Sequence, residues 1–115
     1  MTEINVTSEE SFAEAVLNAA TPGKVLALFT APAWCIPCQR FEPHWVKAQE
    51  MAQLEEFTFV KVDMGADPNL LGEHWATARF GIRGVPTLKW FSGDLDSVYE
   101  VKARAVVPLI KELNS

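Results

Sequence analysis

The stretch Ala31-Pro32-Ala33-Trp34-Cys35-Ile36-Pro37-Cys38 carries both cysteines of a 115-residue chain, and Arg83-Gly84-Val85-Pro86-Thr87 follows it further along. Thiols at i and i+3 lie on one face of a helical turn, where they reach the separation a disulfide requires. A redox pair of this kind needs one exposed, ionised thiol, because the thiolate attacks a disulfide sulfur and the thiol does not. Cys35 is placed to be that group. It follows an apolar strand and a proline-containing loop and opens a helix, so free backbone N–H groups and the helix dipole favour its anion. Cys38, one turn deeper, is left to resolve a mixed disulfide. Pro37 fits between them because the first helical turn offers its missing N–H no acceptor.

Two other uses of a cysteine pair are weaker. Zinc needs two further ligands, and His44 and His74 stand at no finger-like spacing from the pair, nor is there a second CxxC, so no metal is expected. A purely structural disulfide across three residues closes too short a loop to constrain the unfolded chain much.

Outward from the motif, strands and helices alternate with no linker, repeat or low-complexity run, which predicts an α/β domain over residues 1–115. A strand at Ile4–Val6 leads into Thr7-Ser8-Glu9-Glu10, read as a capping box, and a helix with Phe12, Ala15, Val16 and Ala19 inward, ended by Thr21-Pro22-Gly23. Val25–Thr30 is a continuous apolar run of the length expected of a central strand covered on both faces. The motif follows it directly. A helix from Cys35 to Leu54 buries Phe41, Trp45, Ala48 and Ala52 and bends at Pro43. Phe57–Asp63 is a strand, and Asp67-Pro68 opens a helix reaching Arg79 or Phe80, stopped at Gly81. Thr87–Phe91 and Ser97–Val101 make an antiparallel hairpin about Ser92-Gly93-Asp94, and a last helix covers Val106–Leu113.

At 49% hydrophobic and 22% charged the chain suits one core. A net charge of −5 without a Lys/Arg run argues against nucleic acid as a partner. Met1-Thr2-Glu3-Ile4-Asn5-Val6 is acidic and lacks the apolar core of a signal peptide or membrane span. With CxxC and no export signal, a reducing cytoplasm is the expected compartment.

Trp-Cys-x-Pro-Cys after an apolar strand, with Gly-Val-Pro-Thr before another, resembles the thioredoxin family over nearly the whole chain. The resemblance implies a thioredoxin fold, with a mixed five-stranded sheet in the order 1-3-2-4-5 flanked by four helices. It implies Cys35 and Cys38 as nucleophilic and resolving cysteines, with no cofactor beyond their disulfide. Trp34, Ile36, Pro37, Val85 and Pro86 are then the substrate surface: Trp34 flanks the nucleophile, a cis bond precedes Pro86, and the Val85 backbone pairs with substrate. Pro43 matches a proline that kinks the active-site helix. The chain departs from the family pattern in four places. The buried acid of the strand before the motif is replaced by Leu28 or Phe29, leaving Lys61 to snorkel or stand uncompensated, with Glu42 as a solvated carboxylate or substitute base. Ile36 replaces a glycine, stiffening the motif. The helix after Pro68 is longer, with Trp75 in its core face and His74 on its surface. Lys102 stands where the substrate groove often has glycine.

The function implied is a monomeric protein-disulfide reductase, recharged by a thioredoxin reductase. The alternative is a thioredoxin-fold binding or processivity-type subunit whose Trp34, Ile36, Val85 and Pro86 surface docks a partner without redox turnover.

Overall fold

Five strands form one mixed sheet in the computed structural model, which describes residues 3–114; Met1 and Thr2 of the amino-terminal stretch read above, and Ser115, lie outside the described residues. The elements are β1 (Glu3–Val6), α1 (Glu9–Leu17), β2 (Val25–Thr30), α2 (Ile36–Gln49), β3 (Thr58–Asp63), α3 (Trp75–Phe80), β4 (Thr87–Phe91), β5 (Val98–Val101) and α4 (Val106–Leu113), with short 3-10 turns at Ala52–Leu54 and Pro68–Glu73. Strand order is β1-β3-β2-β4-β5, the order implied by the resemblance. β1 and β2 run parallel to β3, while β4 is antiparallel to β2 and β5 to β4.

Every residue of β2 is buried, because the strand lies in mid-sheet with a packed layer on each face. Side chains alternate across a strand, so β2 divides its residues between the layers. Ala27 and Phe29 join Val60 and Val62 of β3 in the layer built around Phe12. Leu26 and Leu28 join Phe41, Trp45 and Leu109 in the layer beneath α2 and α4. Burying each of these leucines contributes about 1.5–3 kcal/mol relative to exposure. Phe12 gathers Phe29, Trp75, Phe80 and Phe91 about it, with ring centroids 5.1–5.8 Å away.

Several boundaries differ from the sequence expectation for local reasons. The capping box forms one residue later, on Ser8: its Oγ accepts from the Ser11 N–H at 3.1 Å, and the Ser11 Oγ accepts from the Ser8 N–H at 3.2 Å. A hydroxyl at Ser11 answers the cap reciprocally and displaces the Thr7–Glu10 pairing. α1 stops at Asn18, ahead of Thr21-Pro22-Gly23. The motif helix ends at Gln49, and extended backbone at Met51 separates it from the turn that drops Leu54 into the core. The segment after Asp67 is a 3-10 turn and a short α-helix. They are split at His74, whose extended backbone and Nδ1, accepting from the Ala76 N–H at 3.1 Å, start a new helix. His74 therefore has a structural task beyond polar surface. Gly81, at φ 66°, ends α3 in the left-handed conformation that glycine adopts without a Cβ penalty. The hairpin loop is also wider than Ser92-Gly93-Asp94. The Ser92 N–H pairs with the Ser97 carbonyl at 2.8 Å, and Asp94 Oδ1 accepts from the N–H groups of Asp96 and Ser97.

Candidate dithiol site

β2 delivers the chain to the carboxyl edge of the sheet, and a turn closed by the Cys35 N–H on the Ala31 carbonyl at 3.0 Å carries it into α2. Gln39 braces that turn from the helix through Nε2 on the Pro32 carbonyl at 2.7 Å. Cys35 is the N-cap residue of α2, with the expected proline inside the first helical turn. Its sulfur occupies the place usually filled by a serine or aspartate oxygen, accepting from the Cys38 N–H at 3.1 Å. A sulfur so placed meets both a free backbone donor and the positive end of the helix.

Cys35 and Cys38 are joined in a disulfide, with Cα atoms 5.2 Å apart. Cys38 is buried as expected; Cys35 is not exposed as expected, at only 4%. Its cover includes the Val85 carbonyl, 3.5 Å from Cys35 Sγ. A disulfide sulfur has no proton to donate, so this approach is a contact and not a hydrogen bond. The Val85–Pro86 bond is cis. The exposed part of the motif is Ile36, 53% accessible beside the nucleophile position. Trp34 is half-buried, its Nε1–H donating to the Gly65 carbonyl at 3.0 Å. Gly65 can take φ 106° because it has no Cβ, and its own N–H is held by Asp63 Oδ1 at 2.9 Å. The structure thus gathers Trp34, Cys35, Ile36, Pro37, Cys38, Val85 and Pro86 at one edge of the sheet.

Sequence reasoning missed Arg104. Its Nη1 donates to the carbonyls of Val101 at 2.8 Å and Ala103 at 2.9 Å, and its Nη2 to that of Pro86 at 3.2 Å, so it ties the loop before α4 to the proline beside the disulfide. Burial pulls its pKa below the usual arginine value, against the opposing charges of Glu100 and Glu112. Lys102, expected to crowd the groove, is exposed, and its N–H is held by the Glu112 carboxylate at 3.0 Å. Gly65 was missed as well. Its only sequence signal is a glycine after a strand-ending aspartate and methionine.

The register separates the two residues that could stand in the acid's place. Leu28 pairs with Lys61 and packs in the α2 layer, whereas Phe29 points to the opposite layer. Lys61 is neither uncompensated nor snorkelling freely: its Nζ donates to Glu42 Oε1 at 2.7 Å and lies 3.4 Å from Glu3 Oε1. Glu42 is engaged in that ion pair. Burial pushes the Glu3 carboxyl up, but the Trp45 Nε1–H, at 2.6 Å, with Lys61 and Asn5, outweighs it and leaves the pKa below the usual value. Burial likewise lowers the pKa of His74, against the backbone and charge of Asp63.

Among the described residues, no group of three or more His, Cys, Asp or Glu side chains comes together as a metal site, and no helix is long and apolar enough to cross a membrane.

A family model described as Thioredoxin matches residues 3–114. The thioredoxin of Synechocystis is 36% identical over 88 residues, covering 75% of this chain and 71% of that protein. Protein disulfide isomerase-like 2-3 of Oryza sativa is 36% identical over 101 residues, covering 88% of this chain but only 21% of its own. The chain thus spans about an eighth to a quarter of the length of such isomerase relatives. The solution structure of the oxidised thioredoxin from Plasmodium falciparum superimposes with a TM-score of 0.71 at 24% identity, over 99% of this chain and all of that one, a likeness of fold.

Proposed function

We propose, for a chain that belongs to the thioredoxin family, the task of reducing disulfides in other proteins. Its fold and its disulfide-bonded cysteine pair are consistent with a thiol-disulfide oxidoreductase. The observation that carries the reading is the Cys38 N–H aimed at Cys35 Sγ at 3.1 Å, in a turn that also brings both sulfurs together. In the reduced protein that donor and the helix end favour the Cys35 thiolate.

The thiolate attacks one sulfur of a substrate disulfide. The Cys35–substrate bond forms as the substrate bond breaks, and the departing sulfur leaves as a thiolate. Cys38 then gives up its proton and attacks Cys35 Sγ. The Cys35–Cys38 bond forms, and the second substrate sulfur leaves and is protonated. Two electrons pass from the dithiol to the substrate. A thioredoxin reductase returns them, and the protein works as a monomer in a reducing compartment, the cytoplasm. Having both cysteines in the motif and none elsewhere supports that placement. Trp34, the exposed Ile36 and the Val85–Pro86 segment receive the substrate chain.

Insulin reduction with dithiothreitol as electron source tests the proposal. Wild type should accelerate precipitation of the insulin B chain well beyond dithiothreitol alone, and Cys35→Ser should abolish the acceleration. A wild-type rate no faster than dithiothreitol alone refutes the proposal.

A further inference from the structure

Alongside the disulfide, Pro37, Arg40, Phe41, His44, Pro86 and Arg104 line an open groove of about 300 Å³. The groove begins at the reactive centre. Pro37 lies between the cysteines, and Pro86 follows the residue whose carbonyl touches Cys35 Sγ. Its ionisable side chains are all basic, in a chain with 15 acidic residues against 10 lysines and arginines. Arg40 is exposed and forms no ion pair among the described residues. Arg104 is fixed by three backbone carbonyls, including that of Pro86, which occupy three of its five N–H donors. Arg104 is exposed, and a guanidinium so held in place meets an incoming anion with less ordering cost than a free surface arginine. The floor is apolar. Phe41 is buried, and the His44 ring stacks against it with centroids 6.3 Å apart.

We propose that this groove is a substrate subsite for a carboxylate side chain, aspartate or glutamate, close to the target cysteine of the polypeptide being reduced. The proposal rests on the oxidoreductase reading above. A polypeptide that brings a sulfur onto Cys35 must lay its flanking residues over the neighbouring surface. The groove's own lining includes two guanidinium groups and no acid, while Glu100 and Glu112 act on Arg104 from outside it. A carboxylate is the side chain that arginine recognises best, and the apolar floor accepts its methylenes. Complementary charge at this distance acts chiefly on the rate of encounter, and so weakens with salt.

The test uses pre-reduced full-length protein and two disulfide-bonded peptides, identical except that the residues flanking the target cysteine are glutamate in one and glutamine in the other. Second-order rate constants are read at low and high ionic strength. The wild type should favour the glutamate peptide about fivefold at low salt, and less at high salt. Arg40→Glu, on an exposed side chain, should bring the ratio to one or below. Lys47→Glu, the same charge change further along α2, should keep the wild-type ratio. Reduction of both peptides at equal rates by the wild type, or a wild-type ratio surviving in Arg40→Glu, overturns the subsite and leaves the redox reading standing. Equal loss in Lys47→Glu also overturns it, because the preference would then belong to net charge. If neither peptide is reduced, the oxidoreductase reading fails and the subsite falls with it.

Discussion

Leu28→Asp should speed resolution by Cys38 while weakening the fold. Leu28 is almost fully buried, pairs with Lys61 across the β2–β3 ladder and packs in the layer under α2. Losing a buried leucine costs about 2–5 kcal/mol, and placing a carboxylate there adds desolvation that an ammonium can offset only in part. Lys61 is already shared by Glu42 at 2.7 Å and Glu3 at 3.4 Å, so its help to a third carboxylate is limited. The net loss expected is about 3–5 kcal/mol, within the stability of an ordinary domain, and is read from urea unfolding. The new carboxyl, raised toward neutrality by burial, is a base suited to accepting the Cys38 proton. General-base assistance is typically worth about a hundredfold to ten-thousandfold, and about tenfold is expected here because the base is grafted in. The assay is single-turnover reaction of the reduced protein with an aromatic disulfide. The first thiolate release reports attack by Cys35, and the second reports resolution by Cys38. Leu28→Asn, which loses the leucine without gaining a base, should be destabilised and show no acceleration. Equal second-phase rates in the aspartate and asparagine variants refute the reasoning: proton removal from Cys38 is then not limiting.

Two pH dependences follow from the shifted groups. The Glu3 carboxyl is held below its ordinary value, so its contribution is present above about pH 4.5 and lost as pH falls through the lower folded value; Glu3→Gln should flatten the acid limb of stability in urea titrations. His74 is also depressed, so the folded state prefers the neutral ring. Its contribution is present above about pH 6.5 and lost as the pH falls through the folded value, and His74→Asn, which keeps a cap acceptor without a proton to gain, should remove that slope in unfolding midpoints between pH 5 and 8.

The fold was legible wherever the pattern was local. Val25–Thr30 reads as a central strand from its unbroken apolar run, and Cys35-Ile36-Pro37-Cys38 reads as a helix start from its proline and spacing, because both depend on neighbours in sequence. What escaped depended on neighbours in space. Thr7 and Ser8 are both good cap residues, and only the reply from Ser11 decides between them. His74 splits a helix because its ring finds the Ala76 N–H, a rotamer choice that composition does not encode. Lys61 looked unpartnered because its two carboxylates come from α2 and β1, 19 and 58 residues earlier in the chain. Arg104 joined the site only once β5 and α4 brought their connecting loop against Pro86. Gly65 became visible when its carbonyl met the Trp34 indole.

The central claim, that Cys35 is the attacking sulfur and Cys38 the resolving one, is tested most directly by trapping. Reduced Cys38→Ser is incubated with a disulfide-containing protein substrate, quenched by alkylation and mapped by peptide mass spectrometry. The account predicts a stable adduct joined through Cys35 that accumulates stoichiometrically, with no adduct from Cys35→Ser under the same conditions. An adduct through Cys38 in Cys35→Ser, formed as fast as wild-type turnover, or none in either variant while both still bind the substrate, contradicts it.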